Sequence, residues 1–189
     1  MGWVTRRQLT NLLGALSLVL ALAGLGLGLP ALDRALPADR PVSSDRPYAV
    51  GGGVTVVPPP GSRIDVSETR PTDDAGTALF RLGPVRYLIT VRPFDGDLSA
   101  AAHRLRQRIT GTTGYQVTGT QLTIATVSGL AGVQGGYTGP GRGGRYAVFV
   151  ADGRTIEVTV SGADLDLGRT LPAIDTSTRT LRYDPAQAR

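Results

Sequence analysis

The chain has 189 residues, of which 41% are apolar, so it is long enough for one packed domain and some additional elements. Its net charge of +5 comes from 20 arginines and no lysine against 15 acidic residues. The arginines form no cluster with interleaved aromatic side chains, so we expect no nucleic-acid partner. The absence of cysteine excludes disulfides, thiolate catalysis and cysteine-ligated metals.

The first 32 residues have the features of a membrane anchor. Residues 1–11 include Arg6 and Arg7, and the run from Leu12 to Leu29 is uncharged. A helix of about 20 residues matches the thickness of a bilayer core, and positive residues favour its cytoplasmic side. We therefore predict a short cytoplasmic N-terminus over 1–11 and a transmembrane signal-anchor helix over 12–32. The rest would form an extracytoplasmic domain of a single-pass cell-membrane protein.

Two alternatives stay open in this segment. Ala21 and Ala23 flank a leucine in a small-x-small pattern, so cleavage near Ala23 would release a secreted domain. The apolar run is longer than that of a typical signal peptide, which favours the uncleaved anchor. Gly24 and Gly28 have the G-x-x-x-G spacing that lets two membrane helices pair as a weak homodimer, unless the spacing is a chance result of glycine-rich composition.

The remaining chain divides into a linker, a domain and a tail. Residues 33–46 contain proline, serine and alternating charges without an apolar period, which predicts a flexible linker. The domain is predicted over 47–184 and the tail over 185–189. At the start of the domain, Val54–Val57 is typical of a short strand that three prolines stop, and 65–77 is typical of a polar loop.

Six further strands are predicted from apolar or alternating runs. They are Ala78–Leu82, Val85–Arg92, Gln121–Val127, Gly132–Thr138, Tyr146–Ala151 and Thr155–Ser161. Gly83-Pro84 and Asp152-Gly153 are hairpin signals, and the glycine-rich segment 139–144 is a longer turn. Successive hairpins of this kind predict an antiparallel sheet.

Two helices complete the pattern. The apolar residues between Leu98 and Ile109 fall on one helical stripe, with Arg108 on the outer face, and Asp97 can cap this helix. The last segment, from Leu167 to Leu181, has a helical period, although its threonine-rich part 176–180 equally suits an extended chain. We predict an α+β fold class: an antiparallel β-sheet flanked by helices, preceded by one N-terminal transmembrane helix.

This order of elements resembles the PsbP-like domain, named after an extrinsic protein of photosystem II. The resemblance lies in the opening run Val54–Ile64, the helix after the second strong strand, and the segment Val127–Tyr137 before the last hairpin; it covers about 47–184. The chain departs from the usual opening, since Ser62 and Arg63 stand where an aromatic residue tends to follow the Pro-Gly turn. The resemblance implies an adaptor or binding role and carries no catalytic residues over.

Motifs for catalysis and nucleotide binding are weak. His103, the only histidine, lies among arginines on the predicted helix, where a surface position is the simpler interpretation. Residues 139–144 match G-x-G-x-x-G, but a strand rather than a helix follows and Pro140 has no N–H for a phosphate. A hairpin loop explains this segment better.

Carboxylates offer the remaining chemistry. Asp95 with Asp97, and Asp164 with Asp166, are spaced for adventitious calcium binding, although acidic residues at helix starts are ordinary caps. An envelope-polymer hydrolase would rely on acids such as Glu68 and Glu157.

The sequence favours a non-enzymatic domain that binds a protein or cell-envelope partner, with no catalytic, cofactor or metal residues assigned. The alternatives are an acid-residue envelope hydrolase and a small-ligand carrier.

Overall fold

Residues 39–187, the range that the computed structural model describes, are built mainly from β-strands. The strands are β1 (Asp39–Pro41), β2 (Tyr48–Gly51), β3 (Val54–Val56), β4 (Arg63–Asp65), β5 (Arg70–Pro71), β6 (Gly76–Leu82), β7 (Val85–Pro93), β8 (Gln116–Ala125), β9 (Ala131–Gly139), β10 (Arg142–Ala151), β11 (Arg154–Gly162) and β12 (Arg182–Tyr183). The helices are α1 (Leu98–Thr110) and α2 (Asp164–Arg179), and a 3-10 turn follows at Pro185–Gln187.

The strands form one large sheet and one small sheet. The large sheet has the order β1-β4-β6-β7-β11-β10-β9-β8, with β5 paired to β6, and the small sheet has the order β12-β3-β2. All pairings are antiparallel. Two-residue turns make most of the hairpins; Asp152 and Gly153, both at positive φ, join β10 to β11.

Different layers cover the two faces of the large sheet. On one face, the small sheet and α2 bury a core that includes Val54, Phe80, Ile89, Phe149 and Ile174. On the other face, α1 packs Ala101 and Leu105 against Tyr146 and Val148. Alternation along the strands produces this division, because successive side chains of a strand point to opposite faces.

The helix α1 forms where its sequence signals place it. The Asp97 side chain accepts a hydrogen bond from the Ala100 N–H at 2.7 Å, which caps the first turn. Ala101, Ala102 and Leu105 are buried on the inner side, and the helix ends at Gly111, whose N–H donates to the carbonyl of Gln107. The cap and the apolar stripe therefore fix both the start and the buried face of α1.

Glycines in β9 and β10 make room for aromatic rings of the neighbouring strand. A Cβ added at each of three glycines would lie within 2.6 Å of the ring of its cross-strand partner. The pairs are Gly132 with Phe149, Gly135 with Tyr146, and Gly144 with Tyr137. Rings that cover glycines in this way hold sheet register, which explains Gly132 and Gly135 in the segment Val127–Tyr137.

The predicted fold class is wrong. Residues 39–187 are mostly antiparallel β-structure with two α-helices, and much of one face is covered by the small sheet beside α2. The predicted short strand at Val54–Val57 pairs with two segments that the sequence did not predict as strands, Tyr48–Gly51 and Arg182–Tyr183. Sequence periodicity does not reveal pairing between such short segments. Within the described residues no helix is long and apolar enough to span a membrane. The span predicted over 12–32, together with Ala23, Gly24 and Gly28, lies outside them.

Two segments differ from the sequence-based expectation for a physical reason. Asp39–Pro41, within the predicted linker, pairs with β4, because its backbone meets the free edge of that strand. The glycine-rich segment 139–144 is mostly strand, and only Pro140 and Gly141 form the turn. Gly143 and Gly144 pair with β9 and β11, where small residues fit under neighbouring side chains.

Candidate binding groove

The helix α1 covers only part of its face of the sheet, and an open groove lies along its flank. It packs mainly against β8, β9 and β10, and it reaches β11 through the Arg108 side chain, which bonds to Glu157. The groove has a volume of about 390 Å³, within the range of small-molecule sites. Its apolar lining consists of Leu88, Leu105, Ile109, Tyr115 and Tyr137.

Strand alternation supplies the floor of this groove. In β7, Tyr87, Ile89 and Val91 point into the core, so Thr90 and its alternate neighbours point to the groove. Thr90 stands opposite Glu157 of β11 in the sheet register. The floor therefore combines hydroxyl groups with one carboxylate.

The carboxylate of Glu157 is bound to an arginine of α1. Both of its oxygens accept hydrogen bonds from Arg108, each at 2.8 Å, and the Glu157 side chain is only 5% exposed. The hydrogen bond to Glu157 raises the pKa of Arg108, which burial opposes. A bidentate pair of this kind holds the guanidinium in one orientation and stabilises Glu157 in its ionised form.

The charge that remains in the groove is positive. Arg92 lines the groove, is exposed, and makes no ion pair or side-chain hydrogen bond within residues 39–187. Since Glu157 offsets Arg108, the lining carries one unbalanced positive charge. The groove therefore suits an occupant with an anionic group.

Two tyrosines give the groove an aromatic wall. The rings of Tyr115 and Tyr137 lie 6.1 Å apart between centroids. The Tyr137 hydroxyl donates to the carbonyl of Val160 at 2.8 Å, and burial raises the pKa of Tyr137 to about 12. This tyrosine stays neutral at physiological pH, so its ring serves as a flat apolar surface.

Of the residues that the sequence singled out for other chemistry, Glu157 lines the groove, and the others lie apart from it. His103 is exposed on α1, and the segment 139–144 precedes no helix. Asp97 caps α1, while Asp164 and Asp166 occupy the first turn of α2. No group of three or more histidine or acidic side chains in residues 39–187 is placed to hold a metal ion.

Three other acids, Asp39, Asp65 and Glu68, converge near β4 and β6, where two arginines bind them. Arg81 contacts Asp65 at 2.9 Å and also reaches Asp39 and Glu68. Arg86 pairs with Glu68 at 2.7 Å. These side chains form an ion-pair network. They do not present the two free carboxylates across a cleft that an acid-type hydrolase needs.

Sequence analysis did not predict the role of Arg108. We placed it on the outer face of α1, but the helix lies so that Arg108 turns down to Glu157, 49 positions later in the chain. A charged residue between the buried Ile156 and Val158 was the available signal, because such a position needs a partner once the sheet face is covered.

Comparison with solved structures identifies the fold. The solution structure of cyanobacterial PsbP (CyanoP) from Synechocystis sp. PCC 6803 is similar, with a TM-score of 0.53 and 14% sequence identity, over 74% of this chain and 92% of that chain. The PsbP-like fold is therefore confirmed. A crystal structure of a protein of unknown function, PA94 from Pseudomonas aeruginosa, has a TM-score of 0.49 and 21% identity, over 59% of this chain and 85% of that chain. No family model and no curated protein matches the sequence.

Proposed function

We propose that this PsbP-like domain is a non-enzymatic binding domain, and that it engages a protein or cell-envelope partner through the groove beside α1. The observation that carries the proposal is the open groove of about 390 Å³ with an apolar wall and one unbalanced arginine. Such a surface favours a partner that presents an apolar group next to a negative charge.

The chemistry of the lining supports binding over hydrolysis. A hydrolase of the acid type needs one protonated carboxylic acid that donates a proton and a second, ionised carboxylate that acts as base or nucleophile. Glu157 is the single carboxylate of the lining, and Arg108 occupies both of its oxygens. The side chains that remain, threonine hydroxyls and Arg92, recognise polar groups without forming a proton-transfer pair.

A small-ligand carrier is the second candidate, and the volume of the groove is the observation that favours it. The two candidates share one binding surface and differ in the size of the occupant. A carrier would bind a small anion with an apolar body as tightly as it binds any larger molecule, whereas a docking groove would bind it weakly.

A simple probe tests the groove. Naphthalene-2-sulfonate combines an apolar ring system with one negative charge, and its binding to the full chain in detergent can be followed by ligand-observed NMR, with empty micelles as the blank. We expect saturable binding that Arg92→Glu weakens by at least about tenfold, equivalent to about 1.4 kcal/mol. The reason is that the substitution replaces attraction for the sulfonate with repulsion.

Arg169→Glu is the matched control, because Arg169 is also exposed and makes no ion pair within residues 39–187, but lies on α2. This variant changes the net charge equally and should bind the probe as the natural chain does. If Arg92→Glu and Arg169→Glu weaken the probe alike, the effect is one of net charge and the groove is not the site.

The proposal places the domain on the extracytoplasmic side of the cell membrane, and its support is the sequence alone: Arg6 and Arg7 precede the uncharged run 12–29. We expect N-terminal sequencing of the mature protein from a membrane fraction to give a start at or near Met1. A start at Gly24 or later would contradict this location and indicate a domain secreted after cleavage near Ala23.

A further inference from the structure

The two edges of the large sheet are protected very differently. At one edge, β1 has only three residues, and they include an acid, an arginine and a proline. At the other edge, β8 has ten residues without charge or proline, and most of them are exposed. Sheet proteins usually block an edge with charge, proline or brevity, because an open edge presents unpaired backbone groups to other chains. β8 has neither charge, proline nor brevity, and the main interruption along this edge is a β-bulge.

The bulge divides this edge into two regular stretches, Gln116–Thr118 and the longer Leu122–Ala125. The register with β9 shifts between Thr118 and Leu122, and Gly119 adopts a positive φ there. From Leu122 to Ala125 the pairing with β9 is regular again. This stretch is long enough for a short extended segment to pair with its outer side.

A cavity lies directly beside this regular stretch. It has a volume of about 300 Å³ and lies between β8 and the C-terminal half of α2, with Ile124 and Phe149 among its lining residues. Leu122, which also lines it, is 58% exposed, and Val127 just beyond the strand is 72% exposed. Within residues 39–187 no strand pairs with the outer side of β8, and the cavity next to it has both apolar and polar lining residues. A free edge beside such a cavity is an arrangement that binds extended peptides, since the edge pairs with the backbone and the cavity takes alternate side chains.

The charged side chains around the cavity determine which kind of extended peptide it favours. Asp175 lines it but is paired with Arg145, so its charge is neutralised. Arg179 also lines it, is exposed, and makes no ion pair within residues 39–187. The unbalanced charge at this surface is therefore positive, and it complements an acidic residue.

We infer that β8 and α2 form a docking site for an extended segment of a partner protein. The segment adds as a strand next to Leu122–Ala125, places an apolar side chain in the cavity, and sets a carboxylate against Arg179. This site lies on the opposite face of the sheet from α1, so it is independent of the groove and would give the domain a second surface for an adaptor role.

The test uses the full chain in detergent and a phage library of random 12-residue peptides. We expect enrichment of peptides with alternating apolar residues and at least one acid. A labelled synthetic copy of an enriched peptide is then titrated by fluorescence polarisation. Leu122→Lys should weaken its binding by at least about tenfold, because it adds a charge at the open edge, and Arg179→Glu by at least about fivefold.

Two controls make the same chemical changes elsewhere. Leu165→Lys alters another exposed leucine, and Arg169→Glu reverses another exposed charge on α2. Both should leave the affinity within about twofold of the natural chain. Hydrogen exchange with bound peptide should slow at 122–125, which a nonspecific contact would not cause.

Three results would overturn the inference. They are no enrichment over empty micelles, enriched peptides whose affinity neither Leu122→Lys nor Arg179→Glu changes, and self-association that Leu122→Lys abolishes. In the last case sedimentation velocity would show a dimer, and the occupant of the edge would be a second copy of the chain rather than a partner segment. None of these outcomes depends on probe binding in the groove beside α1.

Discussion

Gly76→Ala is expected to lower the free energy of unfolding by about 3 kcal/mol, at the upper end of the cost of overpacking. A Cβ at Gly76 would lie 1.9 Å from the carbonyl oxygen of Val50 and 2.8 Å from the Cα of Gly51. Both contacts are with backbone atoms of β2, so rotation of a side chain cannot relieve the clash. The small sheet would have to move off the large sheet, and the core between them would open.

The control for this prediction makes the same substitution in open space. Gly168 lies within α2, and a Cβ there meets no atom within 4 Å. Gly168→Ala should raise the free energy of unfolding by about 0.5–1 kcal/mol, because alanine favours the helix more than glycine does. Urea unfolding of the full chain measures both changes. Equal effects of the two substitutions would show that the close approach at Gly76 does not support the packing of the two sheets.

Asp65→Asn is expected to cost about 3 kcal/mol of stability, because it removes a buried charge that several donors require. Asp65 is 2% exposed and accepts hydrogen bonds from the Ser67 hydroxyl, the backbone N–H groups of Ser67 and Glu68, and the Arg81 guanidinium. An amide of the same shape cannot accept all of them. It also leaves Arg81 without its closest carboxylate.

The same carboxylate gives the stability a dependence on pH. Burial alone would raise the pKa of Asp65, but the hydrogen bonds from Ser67, Arg81 and the backbone outweigh it and hold this pKa below its usual value. The stabilisation by Asp65 is therefore fully present at a pH above its pKa in the unfolded chain, which is about 3.9. It is lost as the pH falls through the lower pKa that Asp65 has in the folded chain. Unfolding measured from pH 7 down to about pH 2.5 should show this loss in the natural chain and a flatter profile in Asp65→Asn.

Asp73→Asn is the control for this second prediction, because Asp73 is exposed and makes no ion pair within residues 39–187. Its pH profile should follow that of the natural chain. If Asp65→Asn has the same profile as well, the acid sensitivity arises elsewhere and the ion-pair network beside β4 and β6 contributes little.

Local signals predicted the elements whose causes are local. The Asp97 cap, the apolar stripe of α1 and the alternation of β7 and β11 are each readable within about ten residues. The Asp152-Gly153 turn belongs to this group as well, since both residues adopt the positive φ that a two-residue hairpin requires.

The features that the sequence missed depend on contacts between distant residues. The pairing of β12 with β3 joins Arg182 to Thr55, and no periodicity links two such short segments. The bond between Arg108 and Glu157 likewise requires α1 to lie at one angle across the sheet. The groove follows from the same placement, because a helix of 13 residues packs mainly against β8 to β10 and leaves a groove beside it over β7 and β11.

The central claim is that the groove beside α1 binds an anionic, partly apolar occupant. Amide chemical shifts of the ¹⁵N-labelled full chain, recorded as naphthalene-2-sulfonate is added, test it most directly. The claim predicts shifts that saturate and are confined to β7, β11, the segment 105–115 and the surroundings of Tyr137, with no change along β8. Shifts that are scattered over the surface, or that persist unchanged in Arg92→Glu, would contradict it.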